Sequence, residues 1–155
     1  MRRWIKRLIA PLALLSVAVP ARAESPFIIF FDSGSVHLDQ ADSAILDNAV
    51  AVIRNFDVRS IEISGHADRV GSDRDNVELS RRRAEAVRAA LLARGMSRRI
   101  EVTIVAQGES QPLVETGDGV SHAENRYVTI MLVGRCVNLD NTRFDTPDCR
   151  TQLPD

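Results

Sequence analysis

Two stretches of helical periodicity, each set between short apolar runs, constrain the fold of this chain more than any other feature. Phe27 to Phe31 is continuously apolar and predicts a strand buried on both faces. From Asp39 to about Asn55 the period becomes helical, with Leu38, Ala41, Ile45, Ala49, Val52 and Ile53 on one face. Arg59 to Ser64 alternates as a second strand, and Gly65 to Gly71 is a polar loop. A strong helix is predicted from about Asn76 to Arg94, closed by Gly95. Glu101 to Gln107 reads as a third strand, Gly108 to Glu124 as a loop and Tyr127 to Val133 as a fourth strand. The order β-α-β-α-β-β places helical crossovers between the first three strands. It predicts a mixed sheet with both helices on one face, an α/β sandwich of the α+β kind.

The first residues carry a different signal. Arg2, Arg3, Lys6 and Arg7 precede the apolar run Leu8 to Val19, and Ala21-Arg22-Ala23 offers small residues where a signal peptidase inspects them. Residues 1–23 therefore read as a cleavable secretory leader, 24–134 as one domain and 135–155 as a tail. The apolar run is too short to span a bilayer as a mature helix, and no cysteine near the cleavage point invites a lipid anchor. The expected location is the periplasm.

Without the leader, 15 arginines face 21 carboxylates, a net charge of −6, which argues against nucleic acid as a partner. The two cysteines, Cys136 and Cys149, both lie in the tail, and in a secreted chain such a pair is expected to form a disulfide. Closing that ring of about 14 residues would contribute about 3 kcal/mol in the chain-entropy picture.

The second helix holds an anomaly. At 100° per residue, Arg83 falls about 40° from Leu79, between Ala90 at about 20° and Val87 at about 80°. A cation thus sits at the centre of an apolar stripe, and Asn76 shares that face. Asp68, in the loop after the second strand, is the obvious counter-charge. Two readings stay open. Asp68 and Arg83 could form an internal salt bridge, so that loss of either weakens the fold. Alternatively, they could stand open to hold a zwitterion, its ammonium on Asp68 and its carboxylate on the fork of Arg83.

His66-Ala-Asp-Arg-Val-Gly71 followed by Asn76-Val-Glu-Leu-Ser-Arg-Arg-Arg-Ala84 resembles the signature of the OmpA-like peptidoglycan-binding domain family. Phe30-Phe31-Asp32, Gly108-Glu-Ser-Gln-Pro112 and Asn125-Arg-Tyr-Val128 are similar to its other motifs, so the resemblance covers about Phe27 to Val133. It implies the β-α-β-α-β-β fold and non-catalytic binding of peptidoglycan through the diaminopimelate of the peptide stem. Carried over by motif, Asp68 and Arg83 would hold the zwitterion, Asn76 and Arg126 would assist, and the loop at Asp32 and Ser33 would supply backbone hydrogen bonds. Tyr127 stands where the family usually has a second arginine, which bears on outer contacts only. The alternative is a module that keeps the fold and docks an outer-membrane or envelope protein.

Sharper chemistry finds little support. His66 and Asp68 with His122 could be read as metal ligands of a hydrolase, but the pattern is short, and His66 is more simply a structural residue under the loop. No nucleophile triad, phosphate loop or catalytic cysteine is visible, so neither enzyme activity nor a cofactor is expected. Arg81, Arg82 and Arg88 lie off the stripe, with Glu85 spaced to pair on the helix surface.

Overall fold

The computed structural model describes residues 26–56 and 58–135. The leader at 1–23 and the Cys136–Cys149 pairing lie outside the described residues. Seven elements follow in order: β1 (Phe27–Phe30), α1 (Gln40–Asn55), β2 (Val58–His66), α2 (Asp73–Ala93), β3 (Glu101–Gly108), a 3-10 turn (Ala123–Asn125) and β4 (Tyr127–Arg135). The mixed sheet has the order β1-β4-β2-β3. β4 runs antiparallel to both β1 and β2, and β2 pairs in parallel with β3. One core joins Leu46, Val50 and Ile53 of α1 and Val87 and Leu91 of α2 to Ile29, Ile61, Ile63, Val128 and Ile130 of the strands. Both helices therefore cover the same face, as the element order predicts.

Helix ends follow local chemistry. Asp39 caps α1 in a reciprocal box, its Oδ1 accepting from the Asp42 N–H while Asp42 Oδ2 accepts from its own N–H. α2 begins three residues before the predicted Asn76, because Ser72 caps it through the Asp75 N–H and Asp73 and Asp75 suit the positive helix end. At the other end Gly95 adopts φ 92°, with Met96 N–H donating to Leu91 and Gly95 N–H to Leu92, a Schellman closure. On the outer surface of α2, Arg81 is held by Glu78 and Glu85.

Two expectations need correction. β1 is not buried on both faces: it is an edge strand, and Phe30 is 51% exposed. A continuous apolar run cannot by itself distinguish a central strand from an edge strand whose end packs on a buried cation. The buried stripe of α1 is Leu46, Ala49, Val50 and Ile53, rotated away from the predicted Ala41–Ile45–Val52 side. Ala41 is exposed, because the helix turns its bulkier Leu46 and Val50 into the core.

α2 approaches β2 closely at Gly65. A Cβ built there would stand 2.0 Å from the Ser80 carbonyl oxygen. Ser80 in turn reaches β3, its hydroxyl accepting from the Gly108 N–H at 3.1 Å. Among the described residues no helix is long and apolar enough to cross a membrane.

Candidate functional site

Because β1, β2 and β3 run the same way and β4 runs against them, the chain segments after the first three strands and before the fourth meet at one end of the sheet. That convergence gathers Asp32, Asp68, Glu109 and Arg126 above the N-terminal half of α2.

Arg83 is fully buried at 0% exposure. Its Nε donates to the Ser35 carbonyl at 2.9 Å, Nη1 to the His66 carbonyl at 2.9 Å and Nη2 to the Asp32 carbonyl at 3.0 Å. The guanidinium carbon lies 5.2 Å from the centre of the Phe31 ring, a cation–π distance. Burial lowers its pKa to about 10, while the charge of Asp68 pulls the other way and Arg126 and Arg82 add to the lowering. Arg83 therefore stays charged at neutral pH. Three of its five N–H groups pin the loop after β1 and the end of β2 to α2.

Asp68 takes a different partner from the one its sequence position suggests. Its Oδ2 accepts from Arg126 Nη1 at 3.0 Å, from the Ser121 hydroxyl at 2.8 Å and from the His122 N–H at 3.3 Å. Both side chains of the Asp68–Arg126 ion pair are largely buried. Burial pushes the Asp68 carboxyl up, but the Ser121, Arg126 and His122 hydrogen bonds together with the Arg126 charge outweigh it, and its pKa is lowered. None of these bonds goes to Oδ1. Among the described residues Arg83 acts on Asp68 through its field rather than by contact, so of the two readings left open the internal Asp68–Arg83 salt bridge is not formed, and Arg126 is the ion-pair partner of Asp68.

Arg126 is placed by the backbone on both sides. Its Nε donates to the Phe31 carbonyl at 2.9 Å, and its own carbonyl accepts from the Phe31 N–H at 2.8 Å. The residue before it, Asn125, is 1% exposed and grips Val114 twice, Nδ2 to the carbonyl at 2.7 Å and Oδ1 from the N–H at 2.8 Å. This clasp holds the loop after β3 in register with the start of β4. Arg69 adds a second clasp, donating to Thr116 and accepting from the Gly119 N–H.

Asn76 is 3% exposed, its Nδ2 donating to the Asp68 carbonyl at 3.0 Å and to Glu109 at 2.6 Å. It positions the backbone of Asp68 rather than its carboxylate. Asp32 and Ser33 lie in an exposed turn, and the Asp32 carbonyl is taken by Arg83 and by the Ser35 N–H. Beside them opens a cavity of about 340 Å3, lined by Phe30, Phe31, Asp32, His37, Glu124 and Arg126 among others. His66 is 4% exposed and stacks on Tyr127, ring centres 3.9 Å apart and 6° from parallel. Burial lowers its pKa to about 4 against a weaker raising contribution from the Gln111 backbone, and Nδ1 has no hydrogen-bond partner among the described residues. His122 contributes its backbone N–H, not its ring, to Asp68.

The sequence brought Asp68, Asn76, Arg83 and Arg126 forward, and the structure sets all four at one end of the fold. It missed Ser121, Glu109, Asn125 and the three carbonyls on Arg83. The motifs at Gly108–Pro112 and Asn125–Val128 carried a signal that could have found Glu109 and Asn125.

Comparison with known proteins places these features in a family. The sequence profile described as the OmpA family matches residues 30–126. Outer membrane protein A of Bordetella avium is 30% identical over 105 residues, covering 68% of this chain and 54% of that protein. The peptidoglycan-associated lipoprotein of Rhizobium meliloti is 30% identical over 106 residues, covering 68% of this chain and 60% of the relative. The chain thus spans little more than half the length of these two relatives. The crystal structure of the peptidoglycan-associated lipoprotein from Burkholderia pseudomallei superposes with a TM-score of 0.61 at 29% identity, over 67% of this chain and 87% of that one.

Proposed function

The chain belongs to the OmpA family, and from that premise we propose that it binds peptidoglycan in the bacterial envelope, without catalysis, through the diaminopimelate of the peptide stem. The observation that carries the reading is the Asp68 carboxylate, buried yet, among the described residues, hydrogen-bonded through Oδ2 and not Oδ1. A diaminopimelate ammonium would take Oδ1, a charge-assisted bond in a site of reduced dielectric. The ligand carboxylate would meet the positive field of Arg126 and of the buried Arg83. Asn76 would keep Asp68 in place, and the turn at Asp32 and Ser33 would border the ligand with its backbone. Two relatives whose names carry an association with peptidoglycan support the partner.

The proposal includes delivery to the periplasm by the leader at 1–23, a domain at 24–134 and a Cys136–Cys149 disulfide in the tail. The test is retention of the purified mature protein on insoluble peptidoglycan, competed by soluble diaminopimelate. Asp68→Ala should weaken retention by roughly 30-fold or more, as expected when one member of a desolvated charge contact is removed. Full retention by a folded Asp68→Ala protein, or indifference to diaminopimelate, would overturn the reading.

A further inference from the structure

We propose that Arg69 is a positioning residue for the Asp68 carboxylate: it fastens the loop segment 115–122, which supplies two of the hydrogen bonds that Asp68 accepts. Its value to binding rests on the peptidoglycan reading, whereas its hold on Asp68 stands on geometry alone. The segment reaches Asp68 through the Ser121 hydroxyl at 2.8 Å and the His122 N–H at 3.3 Å. Both bonds end on Oδ2, the oxygen that also meets Arg126, so the segment fixes which way the carboxylate is turned. Arg69, the next residue after Asp68, grips the same segment with its side chain and its backbone. Its Nη1 donates to the Thr116 carbonyl at 2.9 Å, and its own carbonyl accepts from the Gly119 N–H at 2.6 Å. The Val120 N–H closes the turn on the Gly117 carbonyl at 3.3 Å, and Gly119 adopts φ 75°, a left-handed conformation that brings its N–H round to Arg69.

The two ends of the segment are anchored by Asn125, which clasps Val114 just before it and donates its backbone N–H to the His122 carbonyl at 3.2 Å. The middle rests on Arg69. Residues 117–121 are exposed, so apolar burial contributes little to keeping the segment closed. Closure also works against a penalty. Four buried side-chain polar atoms have no hydrogen-bond partner among the described residues, and three of them lie here: Arg69 Nε, Thr116 Oγ1 and His122 Nδ1. Unpaired buried atoms oppose the closed arrangement, so its persistence depends on the bonds that Arg69 makes. The Arg69–Asp118 ion pair is a minor part of that grip, since it spans 3.6 Å and the Asp118 side chain is 97% exposed. The charges acting on Asp68 come from Arg126 and Arg83, with Glu109 nearby on Asn76, and the segment adds hydrogen bonds to them. Without those bonds the effect of burial is less fully offset, and the carboxyl holds its proton to higher pH.

The test uses the mature protein with Arg69→Ala, Arg69→Lys and Ser121→Ala, and thermal melts establish that each is folded. Two readouts are followed: retention on insoluble peptidoglycan, and titration of the Asp68 carboxyl by NMR, which needs no ligand. Arg69→Ala should weaken retention about fivefold, the worth of one hydrogen bond, and should raise the pH at which Asp68 titrates. Arg69→Lys keeps a donor and a charge on a long stem and should recover part of both; it carries the comparison with wild type if Arg69→Ala does not fold. In a Ser121→Ala background the effect of Arg69→Ala on Asp68 should shrink, because its route to the carboxylate is already broken. Asp118→Ala should leave both readouts unchanged. An Asp68 titration that Arg69→Ala does not move, or moves equally with and without the Ser121 hydroxyl, would overturn the positioning role. Unchanged retention of Arg69→Ala beside a retained wild type would overturn its value to binding. A shifted titration in a protein that peptidoglycan does not retain, wild type included, would uphold the hold on Asp68 and refute the wall-binding reading alone.

Discussion

Asp68 and Arg126 lie 58 positions apart in the chain and 3.0 Å apart in space. The contact joins the end of β2 to the start of β4, two central strands, and commits a carboxylate oxygen and a guanidinium nitrogen that the sequence alone leaves unpaired. The other oxygen of Asp68 takes no part in it, so the same pair that closes the fold also orients a free acceptor.

Arg126→Ala should destabilise the domain by about 3 kcal/mol at neutral pH, since it leaves a buried carboxylate without its counter-charge. The folded Asp68 carboxyl has a lowered pKa, so the stability it contributes is present above the unfolded carboxyl pKa and is lost as pH falls through the folded value. Urea melts across that range should show the gap between wild type and Arg126→Ala narrowing as the solution becomes acidic. A gap that is constant with pH would remove the ion pair from the explanation.

Arg83 is predicted to be as much a structural as a binding residue. Arg83→Ala takes a donor from the carbonyls of Asp32, Ser35 and His66, of which Asp32 keeps the Ser35 N–H, and should cost about 3–5 kcal/mol. Arg83→Lys should recover only part, because an ammonium cannot reproduce the fork that spans three separated oxygens. Melting temperatures of the two variants decide this, and a wild-type melt for Arg83→Lys would refute the pin.

His66 should make the fold sensitive to acid. Its ring binds a proton near pH 6.5 when unfolded and only near 4 when folded. Between those values the unfolded state holds more protons, so stability falls as pH drops from 6.5 to 4, by up to about 3 kcal/mol, and this contribution is complete above 6.5. His66→Phe keeps an aromatic partner for Tyr127 and should flatten that part of the pH–stability curve. An unchanged slope would assign the acid sensitivity elsewhere.

Gly65→Ala should destabilise by about 3 kcal/mol or more, because its Cβ meets the Ser80 backbone and not a side chain that can swing away. The same change should weaken ligand binding, since any outward shift of α2 carries Arg83 and Asn76 with it. Chemical denaturation and retention on peptidoglycan should fail together.

The order of elements was legible because strand and helix periods alternate along the chain, and the mixed sheet followed from the crossovers. Arg83 was legible for a simple reason: a cation at the centre of an apolar stripe needs a polar neighbour. The identity of that neighbour was not. Its partners are main-chain carbonyls, which every residue carries and which leave no trace in a sequence. Ser121 was hidden for another reason, since the loop that brings it to Asp68 is shaped by the distant grip of Asn125 on Val114. The edge position of β1 was equally out of reach, because strand order depends on β4 entering between β1 and β2.

That central position of β4 also decides how the domain would bear a load. A ligand held at Asp68 and Arg126 pulls on β2 and β4 at the same end of the sheet. Drawing those two strands out means sliding β4 along β1 and β2 along β3, so both ladders are stressed in shear and their hydrogen bonds share the force. A grip placed there resists tension by geometry, before any single contact is unusually strong.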